Sequence, residues 1–325
     1  MSFHIASLVR RKLDQAFSTG SSIKLPHVPS DMSRAEAQAW KSRADEAAGV
    51  LQRMEAKSKG SFGALSPQAH LKHLLPPCTA FNVALRPLHA HLMPDTGHVL
   101  MDTPGRDEAH SWAANCLQHR IGRVIDLSPA GGHGEPSCMA GSKVHQNVHG
   151  GLAARFQAIN LRGPRSSKPA AEAVKGLGKQ ATSTWVGVTL THRGQAYRPA
   201  HDAGAGASTG QRLDWLRVPV KSGHAMGPAQ LLAVCEHVRS RRLDSGERQA
   251  IHCPARDKHV GATLEAALML RQRHGAGVDL DRDPGAAVAD VCDIVREHRG
   301  PDLFRREDLM SLLEFTRSLK DLPRG

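Results

Sequence analysis

Aromatic side chains are scarce in this chain, with four Trp, one Tyr and seven Phe in 325 residues. That leaves little on which to stack bases, so a single-stranded nucleic-acid platform, which interleaves aromatic and basic residues, is disfavoured. Long apolar runs are missing as well. Those that exist, such as residues 121–127, are short and broken by charge, whereas crossing a bilayer takes roughly 20 apolar residues. No transmembrane segment is expected. The six cysteines (Cys78, Cys116, Cys138, Cys235, Cys253, Cys292) are dispersed, with no Cys-x-x-Cys pair. They read as reduced thiols, mostly in the core, and not as a disulfide framework or a metal site. The pairs His70/His73 and His89/His91 lack a cysteine or carboxylate complement, so no metal and no cofactor is expected. Residues 1–25 lack the apolar stretch of about 7–15 residues that a Sec signal requires.

What is present is a 40% hydrophobic fraction, enough for a core, and a formal charge of +12 with 20 histidines besides. The positive charge is scattered, with small knots at Arg10-Arg11-Lys12 and Arg239-Ser240-Arg241-Arg242. It permits binding to nucleic acid or to an anionic surface, protein or headgroup, and nucleic acid is the less favoured. Three stretches differ in texture. Residues 1–30 form a flexible leader with Pro26 and Pro29. Residues 31–75 open with Ser33-Arg34-Ala35-Glu36, a capping box, and continue with Ala37, Trp40, Ala44, Ala47, Val50, Leu51 and Met54 at helical spacing, fading near Lys57-Ser58-Lys59-Gly60.

Residues 76–325 alternate β-type and helical patterns. Strands are expected at 99–101, 123–127, 185–190, 214–220 and 250–253. Helices are expected at 107–119, from Pro228 through Val238, at 261–271, 286–297 and 306–319. Residues 128–182 read as loops and short strands. The pattern implies an α/β fold around one mixed sheet flanked by helices, preceded by an N-terminal helical extension.

The segment Arg248-Gln249-Ala250-Ile251-His252-Cys253-Pro254-Ala255-Arg256-Asp257-Lys258-His259-Val260-Gly261 carries the chemistry. A strand ends in His-Cys, five residues follow, and a glycine opens an apolar helix. A cysteine so placed faces inward N–H groups at a helix N-terminus, which stabilise a thiolate and cradle phosphate. This resembles the signature of the protein tyrosine phosphatases: His-Cys, five residues, Arg, Ser or Thr, Gly. Residues 99–129, with Asp102-Thr103-Pro104 at a turn and Trp112 in the next helix, resemble a second family block. Residues 288–319 resemble the two closing helices. The resemblance spans residues 76–321 and is nearest to the bacterial type III secreted effectors typified by the Yersinia tyrosine phosphatase.

The departures are concentrated at the site. Cys253 holds the nucleophile position, but His259 stands where the resemblance implies the phosphate-binding arginine, and Val260 where it implies Ser or Thr. Within the degenerate loop (His252, Pro254, Ala255, Arg256, Asp257, Lys258, Gly261), Arg256 and Lys258 replace glycines and Asp257 adds a charge repelling phosphate. Neutral imidazole has no bidentate fork. By the resemblance the general-acid position falls on Arg217, Val220 or Met226 according to register, and none is a carboxylate. The water-positioning glutamine falls near Phe304.

The resemblance with these losses implies a pseudophosphatase acting by binding a host or bacterial protein. It further implies type III-like export into a host cell from the bacterial cytoplasm, and a chaperone contact at the N-terminal segment. Two alternatives stay open: a residual or altered cysteine-dependent phosphatase using Cys253, and a basic protein that binds nucleic acid or an anionic surface. Arg256, Lys258 and His259 read as solvated or paired with Asp257 and Glu265.

Overall fold

The computed structural model describes residues 33–61, 90–105, 108–129, 145–149, 151–159, 172–173, 181–197, 210–300 and 303–322. The leader of residues 1–30, the histidines His70, His73 and His89, and most of residues 130–181 lie outside the described residues.

The first helix, α1 (Arg34–Ser61), begins at the expected capping box. Ser33 N–H donates to Glu36 Oε2 at 2.8 Å, and Glu36 N–H to Ser33 Oγ at 3.3 Å. Its stripe of Ala44, Ala47, Val50 and Met54 is buried, three and four residues apart as a helix face requires. That stripe packs on the last two long helices. Burying Val50 and Met54 contributes about 1.5–3 kcal/mol each. Exposed ion pairs at the same contact, such as Arg43–Glu314 at 2.9 Å and Lys57–Asp290 at 2.7 Å, contribute less than about 1 kcal/mol each.

Ten strands form one sheet among the described residues: β1 (Ala90–Leu92), β2 (Val99–Asp102), β3 (Ile121–Asp126), β4 (His145–His149), β5 (Leu152–Ile159), β6 (Glu172–Ala173), β7 (Thr182–His192), β8 (Gln195–Ala196), β9 (Gly210–Arg217) and β10 (Arg248–Cys253). Their order is β1-β2-β10-β3-β9-β7-β5-β4, with β6 and β8 paired to β7. The strands β2, β10, β3 and β9 run parallel, and the remaining pairings are antiparallel. The last strand in the chain is therefore inserted between β2 and β3. Strands β3 and β10 are buried almost throughout, as expected where helices cover both faces of a parallel sheet.

Helix α2 (Ala109–Gln118) covers one face over a core containing Trp112, Leu117, Phe156, Val188 and Tyr197. The other face carries α3 (Pro228–Ser240), α4 (Lys258–Gly275), α5 (Pro284–Arg299) and α6 (Arg306–Ser318), over Leu100, Ile125, Ile251, Leu264 and Phe315. The mixed sheet flanked by helices matches the α/β expectation. No helix among the described residues is long and apolar enough to cross a membrane.

Two expectations need correction. Helix α4 starts at Lys258, three residues before Gly261, and residues Ala255–Asp257 wind into a 3-10 turn ahead of it. No residue from 254 to 260 is glycine, and residues 255–260 wind as helix where the loop was expected to run on to Gly261. The stretch read as loops and short strands contains an eight-residue strand, β5, paired along its whole length with β7. Its weak periodicity concealed a long antiparallel partner.

Candidate functional site at the end of the central strand

Cys253 closes β10 at the carboxyl end of the parallel strands, where its neighbours hold the backbone on both sides. Thr103 N–H donates to Cys253 O at 2.9 Å, and Leu127 N–H to His252 O at 2.9 Å. Open α/β sheets place ligands outside these strand ends. The Cys253 side chain, however, is 1% exposed. Its sulfur packs against Gly261, where an added Cβ would sit only 2.8 Å from Sγ. Burial pushes the Cys253 thiol up to about 11, against the opposing pull of the Arg299 guanidinium, and Asp102 adds to the rise. The group is a thiol at neutral pH, and a thiol is a poor nucleophile.

His252, before it, is fully buried and stands edge-on to Trp112 and Trp215, with ring centroids 4.5 and 5.6 Å away. Burial alone drives its pKa down to about 3, so the ring is neutral. It fills an aromatic box and directs neither nitrogen to a hydrogen-bond partner.

Past Pro254, the side chains of the loop bond to the protein's own groups. Asp257 is 4% exposed and accepts from Ser222 Oγ at 2.9 Å and from Gly223 N–H at 3.0 Å. These two residues belong to the segment that should carry a general acid, and Gly223 makes the turn possible with φ of +77°. His259 is 5% exposed and directs Nδ1 to both carboxylate oxygens of Asp308, each at 3.1 Å. Its Nε2 faces Asp257 Oδ1 at 3.9 Å. Asp308 is fully buried and also accepts from Arg305 N–H at 2.9 Å, capping α6. Imidazole thus lies between two carboxylates, Asp257 of its own loop and Asp308 of α6.

The remaining positions follow from this packing. Val260 is buried in the core beside the sheet, and so are Val220 and Met226. Val220 N–H donates to Leu127 O at 3.4 Å, folding its segment onto the strand ends. Arg217 ends β9 and Phe304 packs on the core. Arg256 is exposed, with Nε 3.6 Å from Asp257, and Lys258 reaches Asp102 at 3.7 Å. Glu265 is not a partner of this loop, since Thr96 Oγ1 at 2.6 Å and His98 Nδ1 at 2.8 Å hold it. Among the described residues no three His, Cys, Asp or Glu side chains gather as a metal-holding group.

No family model matches the chain, and no curated protein matches it. Solved structures do. The protein tyrosine phosphatase TcPTP1 of Trypanosoma cruzi superposes with a TM-score of 0.57 at 15% identity, over 88% of this chain and 93% of that one. The catalytic domain of human protein tyrosine phosphatase non-receptor type 18 gives 0.58 at 11% identity, over 86% and 98%. TbPTP1 of Trypanosoma brucei gives 0.56 at 14%, over 89% and 94%.

The chain has the protein-tyrosine-phosphatase fold.

On this phosphatase-like frame, sequence reasoning located the loop but missed three of the groups that surround it. Asp308 lies 49 residues from His259, and Ser222 lies 35 from Asp257, so no local spacing announces either pair. Arg299 is the third. Its side chain is 2% exposed, 3.6 Å from Asp102, and donates to Leu100 O at 3.3 Å. In sequence it reads only as a cation in the last turn of a helix.

Proposed function

We propose that this chain is a tyrosine-phosphatase-like protein without phosphatase activity, a pseudophosphatase that acts by binding another protein. The observation that carries this reading is the Asp257 carboxylate, tied to Ser222 and Gly223. It brings negative charge into the loop that would have to receive a phosphate dianion, and like charges at such range repel. Three further facts agree with it. Cys253 is a buried thiol, His259 is engaged with Asp308, and the segment of residues 217–226 contains no Asp or Glu. Losing a general acid costs about 10²–10⁴ in rate, and losing a donor that stabilises the developing charge costs about 10²–10³ more.

The test is turnover of p-nitrophenyl phosphate and of a phosphotyrosine peptide, compared with Cys253→Ser. Equal, background-level rates are expected. Vanadate-sensitive turnover that vanishes in Cys253→Ser overturns the reading in favour of a cysteine-dependent phosphatase.

The resemblance to type III secreted effectors supports a type III-like export signal within residues 1–30 and a partner in a host cell. A chaperone contact would use residues 1–32 or the exposed side of α1, because the apolar stripe of that helix is buried within the chain. Fusing residues 1–32 to a reporter in a type III-competent strain checks the route; retention of the reporter in the bacterium sinks it.

A further inference from the structure

The parallel strands have a second end. There, at the starts of β3 and β9, a cavity of about 680 Å³ opens between the sheet and the segment that follows α3. Its volume is within the range of small-molecule sites, roughly 300–1,000 Å³. The basic knot at Arg239-Ser240-Arg241-Arg242, which the phosphatase-like site leaves unused, supplies part of its lining.

Strand register builds the floor. Asp214 sits opposite Arg123 on β3 and opposite Trp185 on β7. Arg123 is committed to the fold: it is 2% exposed, donates to Asp214 at 3.1 Å, and also donates to the carbonyls of Val238 and Arg241. Asp214 is neutralised in the same way, accepting from Ser183 Oγ at 2.7 Å with Arg241 at 3.6 Å. Beyond this pair the lining holds basic, acidic and aromatic side chains. Arg120, Arg212 and Arg242 are exposed, and the Arg212 guanidinium lies over the Trp185 ring at 5.8 Å from its centroid. Guanidinium groups gathered around one space repel unless an anion bridges them, and their forks match phosphate oxygens. A flat indole beside a guanidinium receives a planar ring. Glu247 and Asp244, also in the lining, accept hydrogen bonds from hydroxyl or amino groups.

We propose that this cavity binds a nucleoside diphosphate-like ligand. Trp185 and Arg212 hold its ring, Arg120 and Arg242 its phosphates, and Glu247 its hydroxyl or amino donors. Neither the Cys253 loop nor its carboxylates take part, so the site stands whether or not the chain is a pseudophosphatase.

Calorimetric titration of the full chain with ADP, adenosine and pyrophosphate tests it. ADP is expected to bind more tightly than either fragment, and more weakly as salt rises. Arg242→Glu and Arg212→Ala, both exposed positions, should each weaken ADP at least about tenfold, a loss of about 1.4 kcal/mol, with an unchanged thermal midpoint. Arg256→Ala, at the Cys253 end, should leave ADP binding as it is. Absence of ADP binding at millimolar concentration overturns the site, as does affinity indifferent to both cavity variants. Pyrophosphate binding as tight as ADP removes the ring from the proposal, and sensitivity to Arg256→Ala places the anion at the wrong end.

Discussion

At the carboxyl end of β10, polar side chains face one another. At the amino end of β3 and β9, they face a cavity. The two ends are made of similar parts. Each has a buried carboxylate beside a basic side chain: Asp308 with His259 at the first, Asp214 with Arg123 at the second. At the Cys253 end one carboxylate, Asp257, belongs to the loop and the other, Asp308, comes from α6, and both are taken up by neighbouring side chains and backbone. At the cavity end the buried pair lies in the strands themselves, and the exposed arginines are left at the rim. A fold's ligand end is thus a matter of which side chains remain uncommitted after packing, and not of the strand direction alone.

Deleting each buried carboxylate gives the largest effects. Asp214→Ala should cost about 3–5 kcal/mol in urea denaturation, because it leaves the Arg123 guanidinium buried and uncompensated. Asp308→Ala, which removes a helix cap and the hydrogen-bond partner of His259, should cost about 1–3 kcal/mol. A smaller loss in Asp214→Ala than in Asp308→Ala would break the contrast between a charged pair and a filled loop.

The ends also separate on a pH axis. His252 has its pKa depressed from 6.5 to about 3 by burial. Between those values the unfolded chain binds a proton that the native chain does not, so stability falls as pH falls. The expected loss from pH 6.5 to 4.5 is about 2–3 kcal/mol, removed in His252→Phe. Asp214 titrates lower. Burial alone would raise its carboxyl, but His237 at 3.7 Å, Ser183 and Arg123 hold it at about 2. Its contribution is present above its ordinary value of 3.8 and fades as pH falls towards 2, by about 2 kcal/mol. Chemical denaturation across pH 2–7 resolves the two windows. A wild-type profile superposing on that of His252→Phe would remove the first.

The smallest contrast is between two glycines. In Gly261→Ala the new methyl meets the Cys253 sulfur, which is packed in the core, and a cost of about 1–3 kcal/mol is expected. Much of it should be recovered in the double variant with Cys253→Ala. In Gly122→Ala the methyl would meet the Glu247 side chain, at 2.2 Å from its Oε2. The carboxylate of that half-buried chain can swing into the cavity, whereas its Cβ at 3.0 Å must give with the backbone, so a loss of about 1 kcal/mol is expected. Equal losses at the two positions would show that the loop is as yielding as the cavity wall.

Much of the fold was legible. The capping box at Ser33, the β-type run at 185–190, the Gly227-Pro228 helix start and the apolar helix after Cys253 all lie where periodicity put them, because burial on one face imprints a period on the residues themselves. The site was legible in part. Cys253, His259, Val260 and Asp257 were picked out by the resemblance of their segment to the phosphatase signature. Their state was not, since exposure of a thiol depends on what packs above it. Arg256, Lys258 and His259 looked alike as a basic cluster, yet Arg256 is exposed, Lys258 is partly exposed and His259 is buried against Asp308.

The sequence by itself determined the order of the main strands and helices and the residue types of the loop after Cys253, with Arg256, Asp257, Lys258 and His259 in it. Both are written in residue types at short spacing. Only the tertiary structure decided that Asp257 binds Ser222, that Asp308 takes His259, and that Arg212, Trp185 and Arg242 meet at one cavity. These groups lie tens of residues apart in the chain. Helical and strand periods fix which way a side chain points on its own element, and the packing of elements against one another fixes what it meets there.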